Sequence, residues 1–263
     1  MLAQQRHDRI LELVDTEGGV RVADLVDELG VSEMTIRRDI ADMAAQGLLV
    51  RVHGGAIPLE QHAKIEEIGK KAEVNRSNAE VVSATLAHLQ AGQVIGIGTG
   101  SMSTMLAERL AHLPFFASLQ LVTNSFAVAS ALFPAIDRLR QDNQPAPELL
   151  FVGGEPTQLE MLGPLAERTI ESICLDVVCL EPDGFAPSGS VTASSLARAS
   201  YISRMVRMSA KVVAMMSERS WMRMGRAVIC ELQAIDRIVS DFFPPAEQRD
   251  LVEVARVDVE YVG

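Results

Sequence analysis

Between Val31 and Ala56 the chain reads VSEMTIRRDIADMAAQGLLVRVHGGA, and few folds accept that order of caps, stripes and turns. Ser32 is a good N-cap and Glu33 falls in the first turn, where its charge suits the helix dipole, so a helix starts there. Ile36, Ile40 and Met43 recur at i, i+4 and i+7 and face a small core, while Met34, Arg38, Ala41 and Ala45 lie roughly opposite, with Thr35 and Arg37 on the flanks. Gly47 stops the helix. Leu48 to Val52 is a β-prone run that turns at Gly54-Gly55, with Arg51 and His53 near its tip. Upstream, Val22, Leu25, Val26 and Leu29 predict a second amphipathic helix, and Gly30 makes the tight turn between the two. Residues 3–15, with Ile10, Leu11 and Val14, predict a supporting first helix whose charged residues form a solvated face. The pattern is a helix-turn-helix followed by a wing.

The major groove of DNA admits one helix, whose N-terminal residues reach base edges while neighbouring donors hold phosphates. An isolated Arg-Arg pair is an ordinary solvated face, but here it comes with a cap, a turn glycine, an apolar stripe and a wing. The candidate DNA-binding residues are therefore Ser32, Met34, Thr35, Arg37 and Arg38 on the helix and Arg51 and His53 on the wing. The run VSEMTIRRDI followed by GLLVRVHGGA resembles, in order and spacing, the signature of the DeoR family of bacterial transcriptional regulators. That resemblance implies a winged helix-turn-helix joined to a larger α/β domain that senses a phosphorylated sugar or related metabolite, and a protein that usually represses.

The formal net charge of −11 is unusual for a chain that binds double-stranded DNA. Residues 1–30 carry three arginines against seven acids, whereas residues 31–57 balance at three and three. Long-range attraction to an operator is therefore weak, and binding rests on a short-range patch that salt screens strongly. One such module binds poorly, which argues for a homo-oligomer on repeated half-sites.

A winged helix-turn-helix domain is expected over residues 1–57, a polar linker that becomes helical over 58–75, and an α/β effector domain over 76–263. In the last, short apolar runs alternate with helical segments: VIGIG (94–98), LQLVT (119–123), ELLFVGG (148–154), DVVCLE (176–181), KVVAMM (211–216) and DRIVS (236–240). Near-continuous apolar strands of this kind predict a largely parallel, Rossmann-like α/β sheet covered on both faces. In open sheets of this class the ligand crevice lies at the carboxyl ends of the strands. Gly98, Thr99, Gly100 and Ser101 end the first strand and lead into a helix whose free N–H groups can cradle a phosphate. Asn124, Gly153, Gly154, Asp183 and Gly184 end later strands and complete the candidate effector site.

This set also resembles the DeoR sensor domain, and GIGTGS resembles the phosphate loop of ribose phosphate isomerase, whose fold that domain shares. The chain departs from the family pattern in three places. The acid that usually precedes the phosphate loop is absent. Ser217 and Ser220 stand near an expected Asp and Lys, and Ala199 and Ser203 stand near an expected Glu and Lys.

Cys174, Cys179 and Cys230 sit in apolar stretches without CxxC spacing and predict buried reduced thiols. The histidines are scattered, so neither a metal nor a cofactor is expected. No run reaches the roughly 18–20 apolar residues that a membrane span needs, and the first residues are too charged for a signal peptide, so a cytoplasmic protein is expected. Two functions fit the whole: a DNA-binding repressor of a sugar or related operon controlled by a small metabolite, or a sugar-phosphate isomerase or acyl-transfer enzyme with an added N-terminal module. The enzyme would need a positioned carboxylate base and usually a lysine; Asp183 is the one acid the sequence places in the crevice, so the non-enzymatic reading is favoured.

Overall fold

The computed structural model describes residues 2–263, and of residues 65–71 the backbone alone. The chain divides into two compact units, 1–74 and 75–263.

In the first unit α1 (Ala3–Glu17) is followed by β1 (Val20–Arg21), α2 (Val22–Leu29), α3 (Glu33–Ala45), β2 (Val50–Val52), β3 (Gly55–Ile57) and α4 (Leu59–Leu86). Ser32 caps α3 by accepting the Thr35 N–H, and Gly30 takes the left-handed conformation that the turn after α2 requires. Ile10, Leu25, Ile36, Ile40 and Met43 are at most 1% exposed and form the centre of a small three-helix core. The strands form an antiparallel sheet in the order β1-β3-β2. Two-residue β1 has no sequence signal. It exists because Gly55 lacks a Cβ, which would overlap the Val20 carbonyl.

The charged residues of α1 are not all solvated. Arg6 is 9% exposed and Asp39, on α3, 5%. Arg6 Nη2 donates to Asp39 Oδ1 at 3.0 Å, Arg6 Nε donates to Oδ2, and His7 Nε2 lies 3.0 Å from Oδ1. The carboxylate therefore ties α1 to α3 beside the apolar stripe, a pairing that residue spacing within one helix cannot reveal.

The polar run from 58 to 75 is helical from Leu59 onward, and the division between units falls inside α4, between Val74 and Asn75. Ala, Glu, Gln and Lys dominate the segment, and the proline stands at its start, where it does no harm.

In the second unit the elements are β4 (Val94–Ile97), α5 (Ser101–Leu110), β5 (Gln120–Thr123), α6 (Phe126–Gln141), β6 (Glu148–Phe151), β7 (Glu155–Pro156), β8 (Met161–Leu162), α7 (Pro164–Ile170) and β9 (Val177–Leu180). They continue with β10 (Gly184–Ala186), β11 (Ser190–Ala193), α8 (Leu196–Arg207), β12 (Val212–Met216), α9 (Glu218–Trp221), β13 (Ala227–Glu231), β14 (Arg237–Ser240), α10 (Ala246–Ala255) and β15 (Asp258–Tyr261). All six expected strands lie in one seven-stranded parallel sheet, ordered β15-β14-β12-β9-β4-β5-β6. Alternate residues feed two cores: Val177 and Cys179 pack with α5 and α6, while Val178 and Leu180 pack with α7 and α8. The chain leaves β4 toward β5 on one side and later returns on the other with β9, so the strand order reverses between β4 and β9. That is where ligands bind in open α/β sheets.

Two expectations change. β6 is an edge strand, so Leu150 and Phe151 are exposed instead of buried on both faces. Cys174 is exposed because the chain alternates there and Leu175 takes the inward position; Cys179 is buried and Cys230 half-buried, and burial pushes both thiols up to about 12.

Burial pushes the Asp39 carboxyl up, but the hydrogen bonds from Arg6 and His7 and their charge outweigh it and hold the pKa below the ordinary aspartate value. A lowered folded-state pKa contributes stability above the unfolded value, and that contribution disappears as pH falls through the folded one. Asp39→Ala is thus expected to lower the melting midpoint at neutral pH by at least about 5 °C and to speed amide exchange in α1 and α3. The gap to wild type should begin to narrow below about pH 4, the unfolded value, and close only once pH has fallen through the lowered folded-state value; calorimetry across pH checks the sign.

Candidate nucleic-acid interface and effector crevice

The groove of the core holds Ile36, Ile40 and Met43, which leaves the other side of α3 in solvent. Met34 is 77% exposed there. Arg37 and Arg38 are both exposed, and they differ in one respect. Arg37 Nε donates to Glu33 Oε1 at 2.8 Å, one helical turn back, whereas Arg38 has no side-chain partner among the described residues. Exposed pairs of this spacing contribute only about 0.3–0.5 kcal/mol, so Arg37 exchanges Glu33 for another anion at little cost. Ser32 and Thr35 hydroxyls lie 2.9 Å apart at the start of the helix. Arg51 and His53 are exposed on the β2-β3 hairpin. All seven residues read from the sequence as DNA contacts belong to this one compact unit, and three of them, Arg38, Arg51 and His53, have no side-chain partner among the described residues.

The crevice is built differently from the expectation. At the end of β4, Gly98 N–H donates to the Cys179 carbonyl and fixes the loop against β9. Thr99 follows, then Gly100, which is the N-cap of α5. Into this helix start comes the carboxylate of Glu181, from the residue after β9. The N–H groups of Met102 and Ser103 donate to its Oε2 at 2.8 and 3.2 Å, and the Ser101 hydroxyl donates to Oε1 at 3.2 Å. Desolvation pushes this carboxyl above the ordinary glutamate range, against the lowering pull of the Ser103 N–H, the Ser101 hydroxyl, the Met102 N–H and the charge of Arg198. A Cβ on Gly100 would overlap the Glu181 carboxylate.

Arg198, on α8, lies at the centre of the deeper part. Its Nη1 donates to Glu160 Oε1 at 2.8 Å and its Nη2 to the Thr99 carbonyl at 2.5 Å. Its Nε lies 3.1 Å from Asp183 Oδ2, off the hydrogen-bonding direction, so that contact is an ion pair alone. Glu160 also accepts from the Thr99 hydroxyl at 2.7 Å and from Asn124 Nδ2 at 3.3 Å, and Asn124 Nδ2 donates to the Met161 carbonyl at 2.7 Å. Asp183 accepts the Ser194 N–H at 2.7 Å. Asn124 Oδ1 is buried and accepts nothing among the described residues.

The structure thus brings Thr99, Gly100, Ser101, Asn124 and Asp183 together around Arg198, Glu160 and Glu181. Gly154 and Gly184 have another reason to be glycine. A Cβ on Gly154 would strike the Leu162 carbonyl, and one on Gly184 would lie 2.6 Å from the Arg223 carbonyl and 2.8 Å from Gly225 N. Gly153 is exposed with open space around it. Ser220, near an expected charge, instead donates to the Pro182 carbonyl at 2.9 Å and holds the Asp183 loop; Ala199 is buried packing.

Asp183 is not the one acid here. Glu181 was legible by the strand-end rule, since it terminates DVVCLE; Glu160 and Arg198 carry no local signal. Removing Arg198 would leave the Glu160 carboxylate buried and unpaired, which costs about 3–5 kcal/mol. Arg198→Met is expected to lose about that much in urea unfolding, and adding Glu160→Gln should restore a good part of it.

Comparison with known proteins places both units. Residues 6–62 match the DeoR-like helix-turn-helix domain and residues 75–242 the DeoR C terminal sensor domain. The chain is 29% identical to the HTH-type transcriptional regulator GlpR of Haloferax volcanii, over 98% of each chain. It is 26% identical to the putative aga operon transcriptional repressor of Escherichia coli O157:H7, over 98% of this chain and 94% of that one. The glycerol-3-phosphate regulon repressor of Escherichia coli K12 is 24% identical over 99% of both. Among solved structures, a D-ribose-5-phosphate isomerase in complex with phospho-erythronic acid aligns at 13% identity and a TM-score of 0.38, over 55% of this chain and 52% of that one. This chain therefore spans about half the length of that isomerase. The translation initiation factor eIF-2B of Pyrococcus horikoshii OT3 aligns at 9% identity and a TM-score of 0.44, over 90% and 86%.

Proposed function

Because the chain belongs to the DeoR family of transcriptional regulators, we propose that it is a repressor of a sugar or related metabolic operon, acting in the cytoplasm as a homo-oligomer on repeated operator half-sites. The observation that carries the reading is the exposed Arg37-Arg38 face of α3, opposite a stripe pinned by Ile36, Ile40 and Met43 and beside a wing bearing Arg51. Such a helix enters the major groove by its N-terminal half, where Ser32, Met34 and Thr35 approach bases, while Arg51 and His53 hold the backbone or minor groove. The names of the relatives, a glycerol-3-phosphate regulon repressor and an aga operon repressor, support a small sugar-related, phosphorylated effector.

In this reading the crevice between β4 and β9 takes the effector, and its occupancy changes operator affinity because the two states of the protein hold the effector with different strength. Gly98, Thr99, Gly100 and Ser101 supply the phosphate end and Asn124 and Asp183 the hydroxyl end. No catalysis is assigned. Glu160 and Asp183 are both engaged by Arg198, Glu181 is held by the N–H groups at the start of α5, and no lysine reaches them among the described interactions.

Pull-down of genomic fragments with the purified chain, followed by sequencing, is expected to recover a small set of sites with repeated half-sites; recovery without sequence enrichment would refute the reading. On a recovered site, Arg37→Ala and Arg38→Ala should each cost about 1–3 kcal/mol in a gel-shift titration, with an unchanged thermal melt.

Arg51→Ala should weaken binding nearly uniformly across sequences and flatten the salt dependence by about one unit of slope. Loss of preference at a single base position would instead assign the wing to sequence reading.

A further inference from the structure

We propose that Glu181 is a built-in competitor for the phosphoryl group of the effector. It occupies, with the chain's own carboxylate, the anion position at the start of α5 that a phosphate must take. The inference rests on the preceding assignment of this crevice to the effector and adds what sets its threshold.

Three observations meet at this point. First, the cradle already holds an anion: two successive backbone N–H groups and one hydroxyl converge on the Glu181 carboxylate, which is the arrangement that binds phosphate oxygens elsewhere. Second, Glu181 fills the space beside Gly100, where an added Cβ would meet its Oε2, Cδ and Cβ. Third, the surrounding polar groups are only partly used. Asn124 is 1% exposed with Oδ1 unpartnered, and Ser103, in the first turn of α5, is fully buried with its Oγ unpartnered. Asn124 bonds Glu160 beside Thr99, so its free Oδ1 lies in the crevice and offers an acceptor to a polar ligand with hydroxyl groups there.

Electrostatics decide the direction of the effect. Glu160 and Asp183 already outnumber the one cation they share, Arg198, so the crevice carries more negative than positive charge before Glu181 or any ligand is counted. A phosphate entering beside an undisplaced Glu181 would put like charges in contact. It therefore binds by replacing the carboxylate, whose residue is partly exposed. The consequence is a sensor that answers only to a high concentration of its metabolite, set by the difference between two anions for one set of N–H groups.

The test is a titration of the full-length chain, wild type against Glu181→Gly and Glu181→Gln, with inorganic phosphate and with glucose 6-phosphate as probes, read by calorimetry and by the shift of the thermal midpoint. Glu181→Gly is expected to bind at least one of the two probes ten-fold or more tighter than wild type, and Glu181→Gln, which keeps the side chain's shape without its charge, to fall between. Equal affinity in wild type and Glu181→Gly overturns the proposal, as does phosphate binding to neither. Should Glu181→Gly fail to fold, Glu181→Gln decides alone, its affinity equal to wild type counting against and tighter binding counting for. DNA pull-down by the same variants separates the two readings: loss of sequence-specific DNA recovery in wild type refutes the regulator, whereas an unaltered phosphate affinity refutes only the competitor.

Discussion

The sensor unit depends on one buried guanidinium. Arg198 reaches from α8 across the carboxyl ends of β4 and β9 and holds, at once, a carboxylate from the β7-β8 excursion, the backbone of the phosphate-type loop and the loop after β9. Those three segments come from residues 99, 160 and 183, far apart in the chain, and although β4 and β9 pair, the pairing stops short of Thr99 and Asp183. A planar group with five donors can satisfy several acceptors in fixed directions, which a lysine ammonium cannot. Burying such a group is costly unless its partners are complete, and here the surrounding acceptors nearly complete it. The geometry of the crevice is therefore as rigid as this cluster.

In the DNA-binding unit a second buried ion pair has a different task. Asp39 is on the helix assigned to the groove, and its partners Arg6 and His7 are on α1, so the orientation of α3 is fixed from behind by charge as well as by Ile36, Ile40 and Met43. This also changes the charge count. One of the arginines in the acidic first thirty residues is spent internally on Asp39, and Arg9 is spent on Glu12 and Glu28. The free cations on the interface are then few, and short-range complementarity has to do what long-range attraction does not.

Periodicity made much of this visible in advance. The stripe at 36, 40 and 43, the glycine turns and the six apolar strands are local signals, and each corresponds to an element of the structure. Signals failed where the partner is remote. β1 is two residues long and is defined by Gly55 some thirty-five positions later; β15 is polar on alternate positions because it is an edge; and β10, β11 and β13 form a separate antiparallel sheet in which β13 pairs with a strand that precedes α8 and β12. The candidate site shows the same division. Thr99, Gly100, Ser101, Asn124 and Asp183 follow from the strand-end rule, whereas Arg198 and Glu160 become site residues only when a helix and an excursion fold back over it. Glu181 satisfied the rule and was still read as the last residue of a strand, because a strand end and a site residue look alike until a neighbour's N–H groups are seen pointing at it.

Gly100 has a φ of 161°, which is extended backbone open to any residue. The demand for glycine there comes from the Glu181 side chain and not from the main chain. The two positions are therefore coupled during descent. An alanine at 100 displaces the Glu181 carboxylate from the start of α5, so a lineage that gains it loses its internal anion whether or not 181 shortens. A sequence carrying a side chain at both positions would mark a cradle that its own carboxylate has left.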